Sequence, residues 1–384
     1  MAAAKAAATP LPPLGLDAAN PLPAFLRLIA AVNKGVGAVE REGLVPLTLQ
    51  TQGNDQVIIY GHVRPEFVPT LLAADAADAG GGSALIPQLR GQNATPASLL
   101  MHPRLSTPQL RTEAMSKTAD VLRDKGIVTG WRSEAYPIFG DGAAWSSGKS
   151  GGSGNGGGPL FEVERAAVPW LGARAFGVHI NGYVSSSSSA AGGVARPSAL
   201  WVARRSKSKP TWPGMLDHLA AGGQPAGMGA TENAVKEAWE EAGVPEELCR
   251  WNGGGGDGGG GGAASRPAQG LRPVGTVTYR GLSSEGLKPD TLFVYDLELP
   301  AEFVPEPQDG EVEAFELWSV ERVVEALVEA GSGGGGGGAA AEQRRYPAFK
   351  PNVAVVMIDF LVRHGFVGPD TGPEYAEVVA KLRQ

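Results

Sequence analysis

Three glycine tracts decide which parts of this chain can form regular structure: GKSGGSGNGGG at 148–158, NGGGGDGGGGG at 252–262 and GSGGGGGG at 331–338. Glycine gives up more backbone entropy than any other residue on ordering and has no side chain to bury. Neither a helix nor a strand is therefore expected to run through such a tract. The tracts read as disordered insertions in surface loops, where each doubling of loop length costs only about 0.6 kcal/mol. The serine run from Ser185 to Ser189, followed by AAGG, separates two apolar segments in the same way. None of these runs has the form of a phosphate-cradling loop, which needs glycines at fixed offsets between a strand and a helix. GAAWSSGKS (142–150) comes nearest, but five residues rather than four separate Gly142 from Gly148, and no apolar strand leads into it.

With the tracts set aside, the remaining blocks are legible. FLRLIAAVNKG (25–35) carries apolar residues at helical spacing, VPLTLQ (45–50) and QVIIYGHV (56–63) read as strands, and SKTADVLRDKG (116–126) reads as a helix stopped by Gly126. WRSEAYPIFG and LFEVERAAVPWLG close a first domain near residue 172. FGVHINGYV, ALWVARRS, VGTVTYR and TLFVYDLEL follow as four strand-like runs, and FKPNVAVVMIDFLVRHG (349–365) as a helix. A mixed sheet flanked by helices is the expected α+β architecture. The expected division is a disordered lead over 1–23, an N-terminal domain over 24–172, a second domain over 173–368, and a C-terminal tail or helix over 369–384.

Composition narrows the function. The 384 residues are 42% hydrophobic, enough for two cores, yet no apolar run reaches the ~18 residues of a membrane span. A net charge of −7 without a basic block argues against general nucleic-acid binding. Cys249 is the only cysteine, so no disulfide framework or cysteine zinc site is available. The Ala/Pro-rich lead lacks the apolar core of a secretory signal. The expected location is the cytosol, with a plastid address kept open.

The chemistry concentrates in AGGQPAGMGATENAVKEAWEEAGV (221–244). Thr231 is the expected N-cap, Gly243 the helix stop, and Glu232 a favourable charge at the helix N-terminus. At 100° per residue, with Glu237 at the origin, Glu240 falls about −60° and Glu241 about +40° away. Val235, Ala238, Trp239 and Ala242 occupy roughly 100° to 200°, the expected buried face. Three carboxylates on one arc repel one another by a few tenths of a kcal/mol per pair. A divalent cation reverses that sign; a solvated acidic face is the alternative. Gly222 and Gly223, continued by Gly227 and Gly229, can bring backbone N–H groups close to phosphate oxygens. Upstream, Arg204, Arg205, Lys207 and Lys209 supply cations beside the carboxylates, and Trp212, His179 and Asn181 are candidates for gripping an organic group.

Gly222 with KEAWEEAGV (236–244) resembles the Nudix box, G(x5)E(x7)REUxEExGU with U aliphatic. The segments FGVHINGYV, LWVARRSKSKPTWPGMLDHLAAGGQPAG, EGLKPDTLFVYDLELP, QDGEVEAFEL and FKPNVAVVMIDFLVRHG extend the resemblance to the plant and fungal Nudix branch related to thiamin pyrophosphokinase proteins. That branch implies a C-terminal Nudix α/β/α sandwich with a mixed sheet, preceded by a smaller α+β domain. It implies Mg²⁺ (or Mn²⁺) held by the catalytic Glu237, Glu240 and Glu241, oriented by Lys236, with a late acidic ligand at Glu311 or Glu313. Two positions depart from the box: Met228 stands where a Glu is expected, and Lys236 where an Arg is expected. Lysine supplies the charge but not a bidentate fork. The implied reaction is hydrolysis of thiamin diphosphate analogues, oxothiamin or oxythiamin diphosphate, to monophosphate and phosphate. The alternatives are an ADP-ribose or dinucleotide pyrophosphatase and a non-catalytic ligand-binding Nudix protein. In each case the partner is a small molecule, with no nucleic acid and no membrane.

Overall fold

The computed structural model describes residues 20–51, 56–77, 83–88, 96–141, 158–186, 196–250, 270–332 and 344–383. The lead up to residue 19, the segment 142–150, most of the serine run and nearly all of the glycine tracts lie outside these residues.

The described chain opens with α1 (Leu22–Val32) and the short α2 (Ala38–Arg41), followed by β1 (Val45–Gln50) and β2 (Val57–Val63). Then come α3 (Val68–Ala77), β3 (Leu85–Gln88), β4 (Ser98–Met101) and α4 (Pro108–Asp124). The four strands form a sheet in the order β2-β1-β4-β3, with β1 and β4 parallel and the other pairs antiparallel. α4 starts earlier than its apolar spacing suggests, because Thr107 caps it by accepting the Leu110 N–H at 3.2 Å and Pro108 presets the first turn. It stops as expected, at Gly126, which sits at φ +69°. Met115, Ala119 and Leu122 turn its apolar stripe onto the same core as Leu47, Tyr60 and Leu99. β5 (Ala135–Ile138) and β6 (Phe161–Glu164) pair antiparallel, and α5 (Val168–Leu171) ends this half.

The second half contains β7 (Ala175–Ser185), β8 (Pro197–Arg205), β9 (Leu216–Asp217), β10 (Ala220–Gly223), α6 (Ala230–Ala242), α7 (Glu246–Cys249), β11 (Arg272–Leu282), β12 (Leu287–Glu298), β13 (Val312–Ser319) and α8 (Val320–Ser332). It closes with α9 (Pro351–Arg363) and α10 (Tyr375–Lys381). The sheet runs β11-β12-β7-β8-β13, with β7 and β12 parallel and its other strand pairs antiparallel. β7 pairs with β8 only through Tyr183 to Ser185. Before that point β7 pairs with β10 and β8 pairs with β9, so these short strands fill the fork between the two. Alternation along β7 sends Val178 and Ile180 to one face, among Ala234, Ala238 and Ala242 of α6. Tyr183 joins the opposite face, among Phe360 and the valines of α8 and α9. The result is a mixed sheet between helical layers, the expected sandwich.

The helical layer recruits from both ends of the chain. Leu22, Phe25, Ile29 and Val32 of α1 pack with Val323, Leu327, Val353 and Val378 in one core. α1 was expected to belong with the N-terminal domain after a lead reaching residue 23; its buried face instead completes the second domain. Full burial of such Val, Leu, Ile or Phe side chains contributes about 1.5–3 kcal/mol each. Among the described residues, no helix is long and apolar enough to cross a membrane.

Candidate active site

α6 is capped two residues earlier than expected. Gly229, not Thr231, is the N-cap residue; the Glu232 carboxylate accepts its N–H at 3.4 Å, and Gly243 ends the helix at φ +64°. The buried arc is also rotated toward the carboxylates. Asn233, Ala234, Ala238, Glu241 and Ala242 are buried, Val235 is half-buried, and Trp239 is 55% exposed. The cause is contact with β10. Asn233 donates from Nδ2 to the Gly223 carbonyl at 2.8 Å, and Glu241 accepts the Ala221 N–H at 2.9 Å. Between them Glu237 lies against Gly222, where an added Cβ would come within 2.1 Å of its carboxyl carbon. Every fourth residue of α6 thus meets a successive residue of β10, and glycine at 222 is what admits Glu237.

The Gly-rich loop is fixed from inside. Gln224, fully buried, donates to the Met228 carbonyl at 2.8 Å and accepts from Asn233 Nδ2 at 3.3 Å. Met228 therefore serves the loop through its backbone. Lys236 Nζ lies 2.5 Å from Glu240 Oε2 and 3.3 Å from Glu237 Oε1, so one ammonium orients two carboxylates. Burial raises the pKa of Glu237, opposed by Lys236. Burial, with the charge of Asp217 next, raises Glu241 well above the usual range.

Carboxylate oxygens of Glu241, Asp309 and Glu311 all lie within 4.8 Å of one another. Such hard oxygen donors suit Mg²⁺ or Mn²⁺. The buried, charge-crowded Glu241 is the kind of group that a divalent cation relieves, so the donor set fits the expected metal. Asp309 was not among the expected ligands. Its Oδ1 accepts the Glu311 N–H at 2.8 Å across Gly310, at φ +78°, which turns both acids the same way. Glu313 is exposed on β13, and Glu240 is engaged with Lys236; neither belongs to this trio.

The expected substrate cations are mostly engaged elsewhere. Arg205 is buried, pairs with Asp217 at 2.7 Å, and donates to the carbonyls of Trp212 and Thr211 at 3.1 Å each. Burial would raise Asp217, but Lys350, His218 and Arg205 hold it down at about 2. Arg204 faces Glu316 at 3.8 Å, Lys209 pairs with Glu311, and Lys207 is exposed. Trp212 is 48% exposed at φ +54°. Asn181 is fully buried and donates to Asp296 at 3.0 Å, in a network with Arg363 and His364 on the far side of the domain core. Of the expected gripping residues, His179 alone reaches a cavity.

That cavity, ≈ 250 Å³, lies between the two domains and shares Ala221, Gly222 and Gly223 with the carboxylate site. Tyr136 and Arg165 from the N-terminal domain, Tyr279, Asp290, Lys350 and Asn352 from the second, line it. The hydroxyl of Tyr136 stands where a Cβ on Gly223 would go, 1.4 Å from that position. These residues come from segments of no shared motif; the two glycines and His179 are the sequence signals that pointed here.

A model of the family described as Domain of unknown function (DUF4743) matches residues 87–175. Nudix hydrolase 20, chloroplastic, of Arabidopsis thaliana is 36% identical over 280 residues, which is 73% of this chain and 59% of that protein. Nudix hydrolase 24, chloroplastic, of the same plant is 34% identical over 279 residues, covering 73% and 61%. An uncharacterized protein of Saccharomyces cerevisiae, YJR142W, is 35% identical over 259 residues, covering 67% and 62%. The chain thus spans about three fifths of the length of the curated relatives it matches. Matches in plant and yeast, a mixed-sheet sandwich and a box helix docked on its glycine strand together assign the chain to the Nudix family, in its plant and fungal branch.

Proposed function

We propose that the protein is a metal-dependent hydrolase of organic diphosphates, acting on thiamin diphosphate analogues such as oxothiamin or oxythiamin diphosphate. The observation that carries the hydrolase reading is the Glu241–Asp309–Glu311 trio beside a glycine strand that opens onto a cavity. The thiamin-like group comes from the branch that the sequence resembles. A second reading, ADP-ribose or a dinucleotide as substrate, draws on a broader Nudix repertoire; the ≈ 250 Å³ cavity favours a smaller organic group.

Glu241, Asp309 and Glu311 would hold Mg²⁺ or Mn²⁺, which when bound polarises phosphoryl oxygens and lowers the pKa of water. Gly222 and Gly223 let the Glu237 carboxylate and the Tyr136 hydroxyl close against the β10 backbone, in the space that side chains there would fill. Lys236 pairs with Glu237 and Glu240 and aims both, so that a proton leaving the attacking water has an acceptor nearby. In the reaction a water oxygen bonds to phosphorus, the bridging P–O bond breaks, and monophosphate, orthophosphate and a proton leave. Arg165 and Lys350 bring positive charge to the cavity lining. The names of both Arabidopsis relatives favour a plastid over a cytosolic location.

The test is a panel of diphosphates, with Mg²⁺ and with EDTA, read by released phosphate. The reading expects oxothiamin diphosphate to be turned over faster than ADP-ribose, and only with metal. Preference for ADP-ribose would reject the substrate; equal rates in EDTA would reject the metal.

A further inference from the structure

We propose that Arg165, Tyr136 and Lys350 form an anion site in the cavity between the domains, that it takes a phosphate group, and that the N-terminal domain supplies two of its three donors. This deepens the reading of the protein as an organic-diphosphate hydrolase and rests on it.

The basic residues upstream of the box helix leave this role open. Arg205 is closed against Asp217, Lys209 against Glu311, and Arg204 faces Glu316. The inter-domain cavity, in contrast, is lined by the cations Arg165, Lys288 and Lys350 against a single carboxylate, Asp290, among the described residues. Lys288 is drawn to Glu285 at 2.5 Å. Asp290 is occupied in turn, since its Oδ2 accepts the Tyr279 hydroxyl at 2.5 Å. The excess of positive charge therefore rests on Arg165 and Lys350.

Both are open to a ligand. Among the described residues, Glu134 alone pairs with Arg165, through Nη1 at 3.0 Å, and the arginine side chain keeps 44% of its surface exposed. That leaves Nε and Nη2 as a side-on fork, an arrangement that matches two oxygens of a phosphate. Lys350 is half-buried, and its ammonium makes no ion pair among the described residues. Its charge reaches Asp290 in the same lining. The Tyr136 hydroxyl, set at Gly223, makes no hydrogen bond among the described residues. Burial keeps it protonated, so it is a donor in the cavity wall. A phosphate carries up to two negative charges near neutral pH and accepts on every oxygen, so it pairs with all three groups. A cationic or apolar ligand pairs with none of them.

The N-terminal domain is fastened at this point. The Ala226 N–H, within the Gly-rich loop, donates to the Ala135 carbonyl of β5 at 2.9 Å, one residue before Tyr136. Arg165 lies over the Tyr136 ring at 5.4 Å. The segment that braces the loop thus also carries two of the donors.

The test is isothermal titration calorimetry of the full chain in EDTA with orthophosphate and, separately, phenyl phosphate; neither has a diphosphate bond to cleave. The expected result is saturable binding. Arg165→Gln and Lys350→Met are each expected to weaken it at least tenfold, and Tyr136→Phe about threefold. Circular dichroism checks the fold of each variant. Arg165 and Lys350 belong to different domains, so either variant carries the test should the other unfold. Tighter binding of phenyl phosphate assigns the site to the organic monophosphate end of the substrate; tighter binding of orthophosphate assigns it to the released phosphate. No saturable binding, or unchanged affinity in the folded variants, overturns the site. Phosphate binding in EDTA does not depend on hydrolysis. Variant-sensitive binding without turnover of any diphosphate rejects the hydrolase reading alone; turnover with variant-insensitive binding rejects the anion site alone.

Discussion

The two sides of β10 are built on different principles. On one side, α6 sets Asn233, Glu237 and Glu241 against Gly223, Gly222 and Ala221 at a spacing of four residues. On the other, the cavity takes Tyr136, His179, Tyr279 and Asn352 from four distant parts of the chain. The carboxylate side carries acids partly balanced by Lys209 and Lys236, whereas the cavity side carries aromatic rings. The seam between α6 and β10 is local in sequence, whereas the cavity lining is not.

The sharpest way to break this contrast is Glu241→Gln. The amide can still accept the Ala221 N–H, but the acidic trio loses a charge. Phosphate release should fall about a thousandfold, as expected for loss of several kcal/mol of metal-assisted stabilisation, with the fold retained by circular dichroism. The same variant reports on pH. Because the folded pKa of Glu241 is raised, its contribution to stability is fully present below the ordinary glutamate range and is lost as pH rises through the raised value. In EDTA the wild-type chain should therefore lose melting temperature more than Glu241→Gln does as pH rises above the ordinary glutamate range; equal slopes would count against the buried charge.

Asp309→Asn should raise the Mg²⁺ concentration for half-maximal activity by about tenfold while leaving the rate at saturating metal closer to wild type. A titration of activity against Mg²⁺ reads this, and no shift would remove Asp309 from the ligand set. Gly223→Ala attacks the cavity side. Its methyl group would overlap the Tyr136 hydroxyl, so kcat/KM should fall about tenfold, and Tyr136→Ala in the same chain should recover part of the loss, the coupling expected of residues in contact.

Asn181→Ala separates structure from recognition. Removing its hydrogen bond to Asp296 should cost about 1.5–3 kcal/mol in denaturant unfolding, with KM unchanged. A raised KM without lost stability would return Asn181 to the site. The smallest effect is expected of Lys207→Ala: within about 0.5 kcal/mol in stability and twofold in kcat/KM, since the side chain is exposed.

Those expectations follow from where the structure departs from the sequence reading. The strands β7, β8, β11 and β12 were legible because they are long and rich in Val, Tyr and Leu. β9 and β10 were not, having two and four residues, with two glycines in the latter. Trp239 was assigned to the buried face because helical spacing alone gives the apolar arc. Docking on β10 turned that arc toward the carboxylates and left the indole exposed. Arg205 looked like a substrate cation because composition does not reveal that Asp217, twelve residues later, closes against it.

By itself the sequence determined the acidic helix, its glycine stop, the two glycines that let it approach a strand, and the blocks that build two domains. These are local matters of side-chain size, spacing and backbone freedom. Tertiary structure alone decided that Asp309 joins Glu241, that α1 completes the second core, and that Tyr136 and Arg165 cross the domain boundary to face Glu237. Each of those depends on burial and on chain segments more than twenty residues apart meeting in space, and no residue pattern records such a meeting in advance.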